Sequence, residues 1–288
     1  MVKSIYLVIG VDVMSRTKSD LNILPIDQYT RQKWVKIMID NISKNKKNLK
    51  ILDVGGYRGA TKLFHPNDIV HVCDLFDVDD QDNYTKVDGK TLPFNDSSYD
   101  FVVTYDTYEH VPRAQREQFI QELKRVSKTG VYLAAPFDDP TGSVSNAEKY
   151  VNDFYKDLYG KDHPWLAEHI QYGIPKPDEL ETIITKDNYG FISLNSNPLN
   201  FWLIIQSIYQ SIELDKDLRG RVDDINRFYN DNMDYIDLAN EELAYRKIYF
   251  FSNNKQNLKE TNILLRKISE NRVSKSKKTQ FVAMCMSI

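Results

Sequence analysis

Short apolar runs recur along the chain: KILDV (50–54), DIVHVCD (68–74), YTKV (84–87), YDFVVTY (99–105) and GVYLAAP (130–136). Most are apolar at consecutive positions, the pattern of strands covered on both faces. Stretches of helical period separate them. The clearest, RAQREQFIQELKRVSK (113–128), sets Phe119, Ile120, Leu123 and Val126 on one face, and IDQYTRQKWVKIMIDNIS (26–43) sets Trp34, Ile37, Met38 and Ile42 on one stripe. Strands alternating with helices predict an α/β domain with a parallel sheet covered on both sides. PDELETIITKDN (177–188) reads as a further helix, opened by a proline and early acids, and GFISLNS (190–196) and YRKIYFFS (245–252) as two later strands.

Elsewhere the pattern weakens. Residues 1–24 lack a helical period and read as a loose arm. Residues 137–176 mix acidic, glycine, proline and aromatic residues without a clean period, as expected of a lid or substrate-shaping insert. Residues 198–240 read as helical and aromatic; FWLII (201–205) is apolar all round, which suits a buried helix or a subunit interface and so admits a homo-oligomer. The chain therefore divides into an arm and lead-in helix (1–48), a main domain (49–251) with inserts at 137–176 and 198–240, and a tail (252–288). The tail carries eight Lys or Arg against two Glu, a charge of +6 beside −9 for the rest. Leu258, Leu265, Ile268 and Arg272 form an imperfect heptad there, which predicts a protruding helix or frayed end, and SKSKK (274–278) is either solvated or a dock for an acidic partner or lipid surface.

At 288 residues with 41 % apolar content, the chain can bury the core of one large domain. Its net charge of −3 argues against a nucleic-acid binder. Cys73 and Cys285 are the only cysteines, which excludes a disulfide framework and fits a reducing compartment. IYLVIGV (5–11) is too short to span a bilayer and is followed by Asp12, so neither leader nor anchor is expected. A cytoplasmic protein without stable membrane insertion follows.

Candidate chemistry begins at ILDVGGYRGA (51–60), a strand running into a glycine turn and then a helix. The spacing of Gly55, Gly56 and Gly59 does not fit a dinucleotide fingerprint. Asp53, at the strand tip, would repel a diphosphate and favour a cation. S-adenosylmethionine carries a sulfonium and an ammonium and no phosphate, and so suits an acidic loop. Asp74 closes the second strand, where a carboxylate can accept ribose hydroxyls, and Asp88-Gly89 follows the third. Leu92, Pro93 and Phe94 would then wall a purine.

LDVGGYRG, CD at 73–74, DGKTLPFNDSSYDFVVTYDTYEHVP (88–112) and FIQELKRVSKTGVYLAAPF (119–137) resemble class I S-adenosylmethionine-dependent methyltransferases, in the branch with an LPF…D-S-[FY]-D…EHV pattern. That branch includes small-molecule, quinone-biosynthesis and surface-glycan methyltransferases. The resemblance implies a Rossmann-like three-layer sandwich around a seven-stranded, mostly parallel sheet with a C-terminal antiparallel strand. It implies Asp53 and Gly55 at the methionine end, Asp74 at the ribose, and Asp88 and Gly89 at the adenine, with Gly56, Tyr57, Gly59, Leu75 and Asp106 completing the cofactor's lining. Tyr57 departs from the family's usual glycine and either crowds the cofactor or lies across it.

Methyl transfer needs alignment and, for a hydroxyl acceptor, a base. Glu109 and His110 follow the fourth strand; they either act on the proton or anchor the next helix. The second candidate is DHPWLAEHIQYGIP (162–175), where His163, Trp165, Glu168, His169 and Tyr172 offer a base, a carboxylate and aromatic platforms. The alternative is a packed lid. Surface-glycan members are expected to carry a similar stretch, which implies O-methylation of a sugar or glycan-related acceptor; a quinone-like acceptor, or a non-catalytic scaffold, are the other readings. The catalytic candidates are thus His110, Glu109 and His169. His163, Glu168 and His169 lack a diagnostic ligand spacing, and no metal is expected.

Overall fold

The computed structural model describes residues 18–57, 60–77, 83–211, 217–232, 243–269 and 274–287. The run 5–11, Gly59, Arg272 and the end of the acidic stretch 74–82 lie outside them. Seven strands form one sheet: β1 (Lys50–Val54), β2 (Ile69–Asp74), β3 (Tyr84–Lys86), β4 (Tyr99–Tyr105), β5 (Ser127–Pro136), β6 (Gly190–Pro198) and β7 (Ala244–Ser252). Their order is β3-β2-β1-β4-β5-β7-β6. β7 runs antiparallel to both β5 and β6, while the other pairs are parallel. This is the Rossmann-like sandwich that the strand pattern and the resemblance implied.

Alternate residues of the central strands feed two cores, as the two-residue repeat of a pleated strand requires. Ile51, Phe101 and Val103 face α1 (Ile26–Ser43), which contributes Trp34, Val35, Met38 and Ile39. Leu52, Val54 and Val102 face the opposite way, toward Ile120, Leu123 and Val126 of α3 (Arg116–Val126) and Leu180 and Ile184 of α6 (Pro177–Thr185). A single turn, α2 (Thr61–Phe64), follows the glycine loop.

The insert 137–176 is more ordered than its sequence suggests. It forms α4 (Ser143–Tyr159) and α5 (Pro164–Tyr172). Val144, Ala147, Val151 and Tyr155 do follow a helical repeat, but Glu148 and Asn152 are buried on that face too and interrupt its apolar stripe. Helices α7 (Leu199–Ser211) and α8 (Leu218–Asn232) build a satellite core. Trp202 and Ile205 of the FWLII segment are buried, Trp202 stacking on Tyr245 at 3.8 Å.

Two expectations need correction. The C-terminal segment does not protrude: Leu258, Leu264, Leu265 and Ile268 of α9 (Lys255–Ser269) pack against the α1 core, and Phe281 and Cys285 of α10 (Lys275–Met286) are buried with α7 and α8. The described end of the N-terminal arm is also tied down. Leu24 is fully buried, and Asn230 Nδ2 donates to the carbonyls of Asn22 (2.8 Å) and Leu24 (2.9 Å). Basic residues line the solvent faces of α9, so composition alone conceals its apolar side. Among the described residues, no helix is long and apolar enough to cross a membrane.

Candidate active site

The carboxyl ends of β1, β2 and β4 meet at the glycine loop. Asp53 is buried; its Oδ2 accepts from Thr61 Oγ1 at 2.6 Å, and its Oδ1 has no hydrogen-bond partner among the described residues. Burial pushes its pKa up to about 7; the Thr61 bond and Arg31 act against this, and the charge of Asp74 adds to it. Gly55 (φ +79°) leaves no room for a Cβ beside Thr107, and a Cβ on Gly56 would overlap the Asp53 carboxyl. A buried acid with one free oxygen, cradled by glycines, fits a cation and not a diphosphate.

Asp74 accepts from the N–H groups of Tyr57 (3.0 Å) and Leu75 (2.6 Å); burial raises its pKa and these bonds counter the rise. It thereby fixes the loop to the tip of β2. Tyr57 takes a left-handed backbone (φ +25°) and sets its ring edge-on to Phe76, 5.5 Å between centroids. Exposed Asp88 accepts from the N–H groups of Lys90 and Thr91, forming a turn, and Gly89 (φ +77°) lies close to the Leu75 side chain. The expected purine wall is only partly present. Leu92 lies in the core and Phe94 packs against His71 and Tyr99, 5.2 Å from each ring, because the chain there runs down to the start of β4.

Asp106 turns the chain at the end of β4 (φ +46°). It is not a free carboxylate. Arg246 of β7 forks onto it (2.8 and 2.7 Å), and Arg31 of α1 reaches it at 2.6 Å. Burial would raise Asp106, but the two guanidinium groups hold it below the usual carboxylate range. Arg246 is itself buried; burial opposes its charge, and Asp106 and Asp27 more than offset this.

A short turn, Tyr108–His110, then brings Glu109 and His110 to face α4 and α5. His110 Nδ1 bonds Glu168 at 2.9 Å, His169 Nδ1 bonds Glu148 at 2.9 Å, and the two Nε2 atoms stand 3.3 Å apart. Tyr245 OH also donates to Glu148, at 2.7 Å. Glu109 lies 4.0 Å from His169 Nε2 and is fully buried, its pKa pushed up to about 8 by burial and the charge of Asp106. The fold thus brings the two histidine segments together. His163 is not with them: it is buried against Tyr155 and Trp165, its N–H donates to Asn152, and burial lowers its pKa to about 4. Sequence reasoning missed Arg31, Glu148, Tyr245 and Arg246. Only Glu148, an acid inside an apolar helix face, left a trace in the pattern.

Residues 70–135 match the family described as a methyltransferase domain. Three solved structures show a distant likeness. A candidate sarcosine dimethylglycine methyltransferase of Galdieria sulphuraria is 13 % identical over 76 % of this chain and 83 % of its own, with a TM-score of 0.49. Phosphoethanolamine N-methyltransferase 2 of Haemonchus contortus is 17 % identical over 75 % and 51 %, with a TM-score of 0.45. Magnesium protoporphyrin IX methyltransferase of Synechocystis is 13 % identical over 59 % and 78 %, with a TM-score of 0.41. No curated protein matches the chain. The matched segment spans β2 to β5, the strand order is that of the Rossmann-like fold, and the glycine loop just before that segment, at the tip of β1, suits a cationic donor: over residues 70–135 the chain is similar to a methyltransferase domain, in keeping with its resemblance to class I S-adenosylmethionine-dependent methyltransferases.

Proposed function

We propose that this enzyme methylates a hydroxyl of a polar acceptor, a sugar or glycan-related molecule, at the mouth formed by His110 and His169. S-adenosylmethionine supplies the electrophilic methyl group. Asp53 balances the donor's positive charge, with Gly55, Gly56 and Tyr57 beside it. Asp74 and Leu75 border the ribose, Asp88 and Gly89 the adenine, and Asp106 supports the methionine end through Arg31 and Arg246. Gly59 completes this set by sequence alone.

The observation that carries the acceptor reading is the pairing of His110 and His169 with Glu168 and Glu148. A carboxylate only accepts, so each imidazole donates from Nδ1 and turns its Nε2 inward. Two such atoms beside buried Glu109 make a wall suited to a hydroxyl and hostile to an apolar quinone ring. Incubating the protein with donor and a panel of nucleotide sugars, oligosaccharides and quinone precursors tests this. A mass gain of one methyl group on hydroxyl acceptors is expected. Turnover of quinone precursors alone would reverse the assignment.

A further inference from the structure

The His110–His169 contact poses a chemical problem of its own. With each Nδ1 donating to a carboxylate, the two Nε2 atoms face each other across 3.3 Å, and at most one hydrogen can sit between them. Glu109 stands 4.0 Å away, and its Oε2 is buried with no hydrogen-bond partner among the described residues. One oxygen of Glu109 and one nitrogen from each histidine fall within 4.8 Å of one another. Ligands about 2.1 Å from a shared tetrahedral centre stand roughly 3.4 Å apart, close to the 3.3 Å between the two histidine nitrogens; the Glu109 oxygen, 4.0 Å from His169 Nε2, would have to close in on the ion.

We propose that Glu109, His110 and His169 hold a first-row divalent transition-metal cation, and that the acceptor hydroxyl is activated on it. Two imidazoles and one carboxylate favour Zn²⁺, Fe²⁺ or Mn²⁺ over Mg²⁺, and three protein ligands leave a position open. Glu168 and Glu148 are the carboxylates that orient metal-bound histidines through Nδ1, and Tyr245 in turn holds Glu148. Glu168 is partly exposed, so the mouth opens on that side. The sequence expectation of no metal rested on His163, Glu168 and His169. Folding replaces that set: His163 turns into the α4–α5 core and Glu168 becomes a supporting residue. In the reaction the acceptor O–H releases its proton to solvent water, its oxygen bonds the methyl carbon, and the C–S bond breaks with its electron pair kept by sulfur.

The activating role rests on the hydroxyl-acceptor reading; the site itself does not. The test is titration of chelator-stripped, full-length protein with Co²⁺ as a visible probe, followed by displacement with Zn²⁺. One equivalent should bind, giving ligand-field bands of a low-coordinate ion. Glu109→Gln and His169→Gln should each weaken binding more than 100-fold, and Glu148→Gln, a positioning change, between 10- and 100-fold. Absence of saturable bands in the wild-type protein overturns the proposal without reference to any variant. So does unchanged affinity in Glu109→Gln and His169→Gln proteins whose thermal melts are intact. Methylation of hydroxyl acceptors that survives complete chelation overturns the cation's role and leaves the acceptor reading standing. Bound Co²⁺ with turnover of quinone precursors alone upholds the site and removes the acceptor reading.

Discussion

Donor binding should be linked to a proton at Asp53. Its charged neighbours are Asp74 on β2 and Arg31 on α1; Thr61 bonds it, and Cys73 and Tyr105 are the neutral titratable groups beside it. With a pKa of about 7, Asp53 is ~3 % ionised at pH 5.5 and ~50 % at pH 7 in the free protein. A sulfonium donor binds the ionised form, so binding expels the proton and affinity rises with pH. Over this interval the rise is about 16-fold, or about 1.6 kcal/mol. Above pH 7 the donor's own amino group begins to titrate, which sets the upper limit of the window. The perturbation is Asp53→Asn, which keeps an acceptor for Thr61 and removes the charge. Calorimetry at pH 6 in two buffers of different ionisation enthalpy should show close to one proton released per donor bound by the wild-type protein, and none by the variant. Linkage fixes the sign for stability as well. A carboxyl whose folded pKa lies above its unfolded value of 3.8 costs the ligand-free protein stability as pH rises from about 4 to about 7, by up to about 4 kcal/mol. Asp53→Asn should therefore melt higher than wild type at pH 8 while binding donor more weakly. A flat affinity profile in the wild-type protein, or an equal slope in the variant, refutes the reasoning.

Other expectations follow from the same geometry. Gly56→Ala would drive a Cβ into the Asp53 carboxyl and should abolish detectable donor binding by calorimetry, with the fold retained by circular dichroism. Arg246→Met strands Asp106 beside Arg31 alone and should cost roughly 3–5 kcal/mol in denaturant unfolding, as expected on breaking a buried ion pair. Phe281→Ala should cost about 3–5 kcal/mol by the same measurement, because its fully buried ring joins α10 to α7 and α8; a frayed tail would show no loss. Tyr57→Gly removes a left-handed strain of order 1 kcal/mol and forfeits the edge contact with Phe76, so thermal melts should move little while donor affinity reports whether the ring covers or crowds the site.

What could be read from sequence, and what could not, divides along a physical line. Strands β1, β2, β4 and β5 are apolar at successive positions because both faces are covered, so they stood out, and so did the helices that cover them. Asp53, Gly55 and Gly56 lie within four residues, and the steric and electrostatic argument about them needs only that a strand meets a turn. Helix α4 escaped because Glu148 and Asn152 occupy its buried face, and α9 because its cations mask a narrow apolar side. Phe94 misled because an apolar residue beside a proline looks the same whether it walls a pocket or fills the underside of a sheet.

Glu109, His110, Glu168 and His169 could be picked out along the chain, but their pairing could not, since its bonds join distant segments. Glu148 meets His169 across 21 residues, His110 meets Glu168 across 58, and Asp106 meets Arg246 across 140. No periodicity encodes such pairs; they exist only once β7 lies against β5 and the insert folds onto the strand ends. The two halves carry unlike electrostatics for that reason. The sheet end offers a single buried carboxyl suited to a cationic donor, whereas the insert sets a carboxylate against Nδ1 of each of two histidines. On the proposed function the glycine loop serves the donor whatever the acceptor, and acceptor choice falls to α4 and α5. Exchanging residues 137–176 should therefore change which molecules are methylated while leaving the pH dependence of donor binding at Asp53 intact.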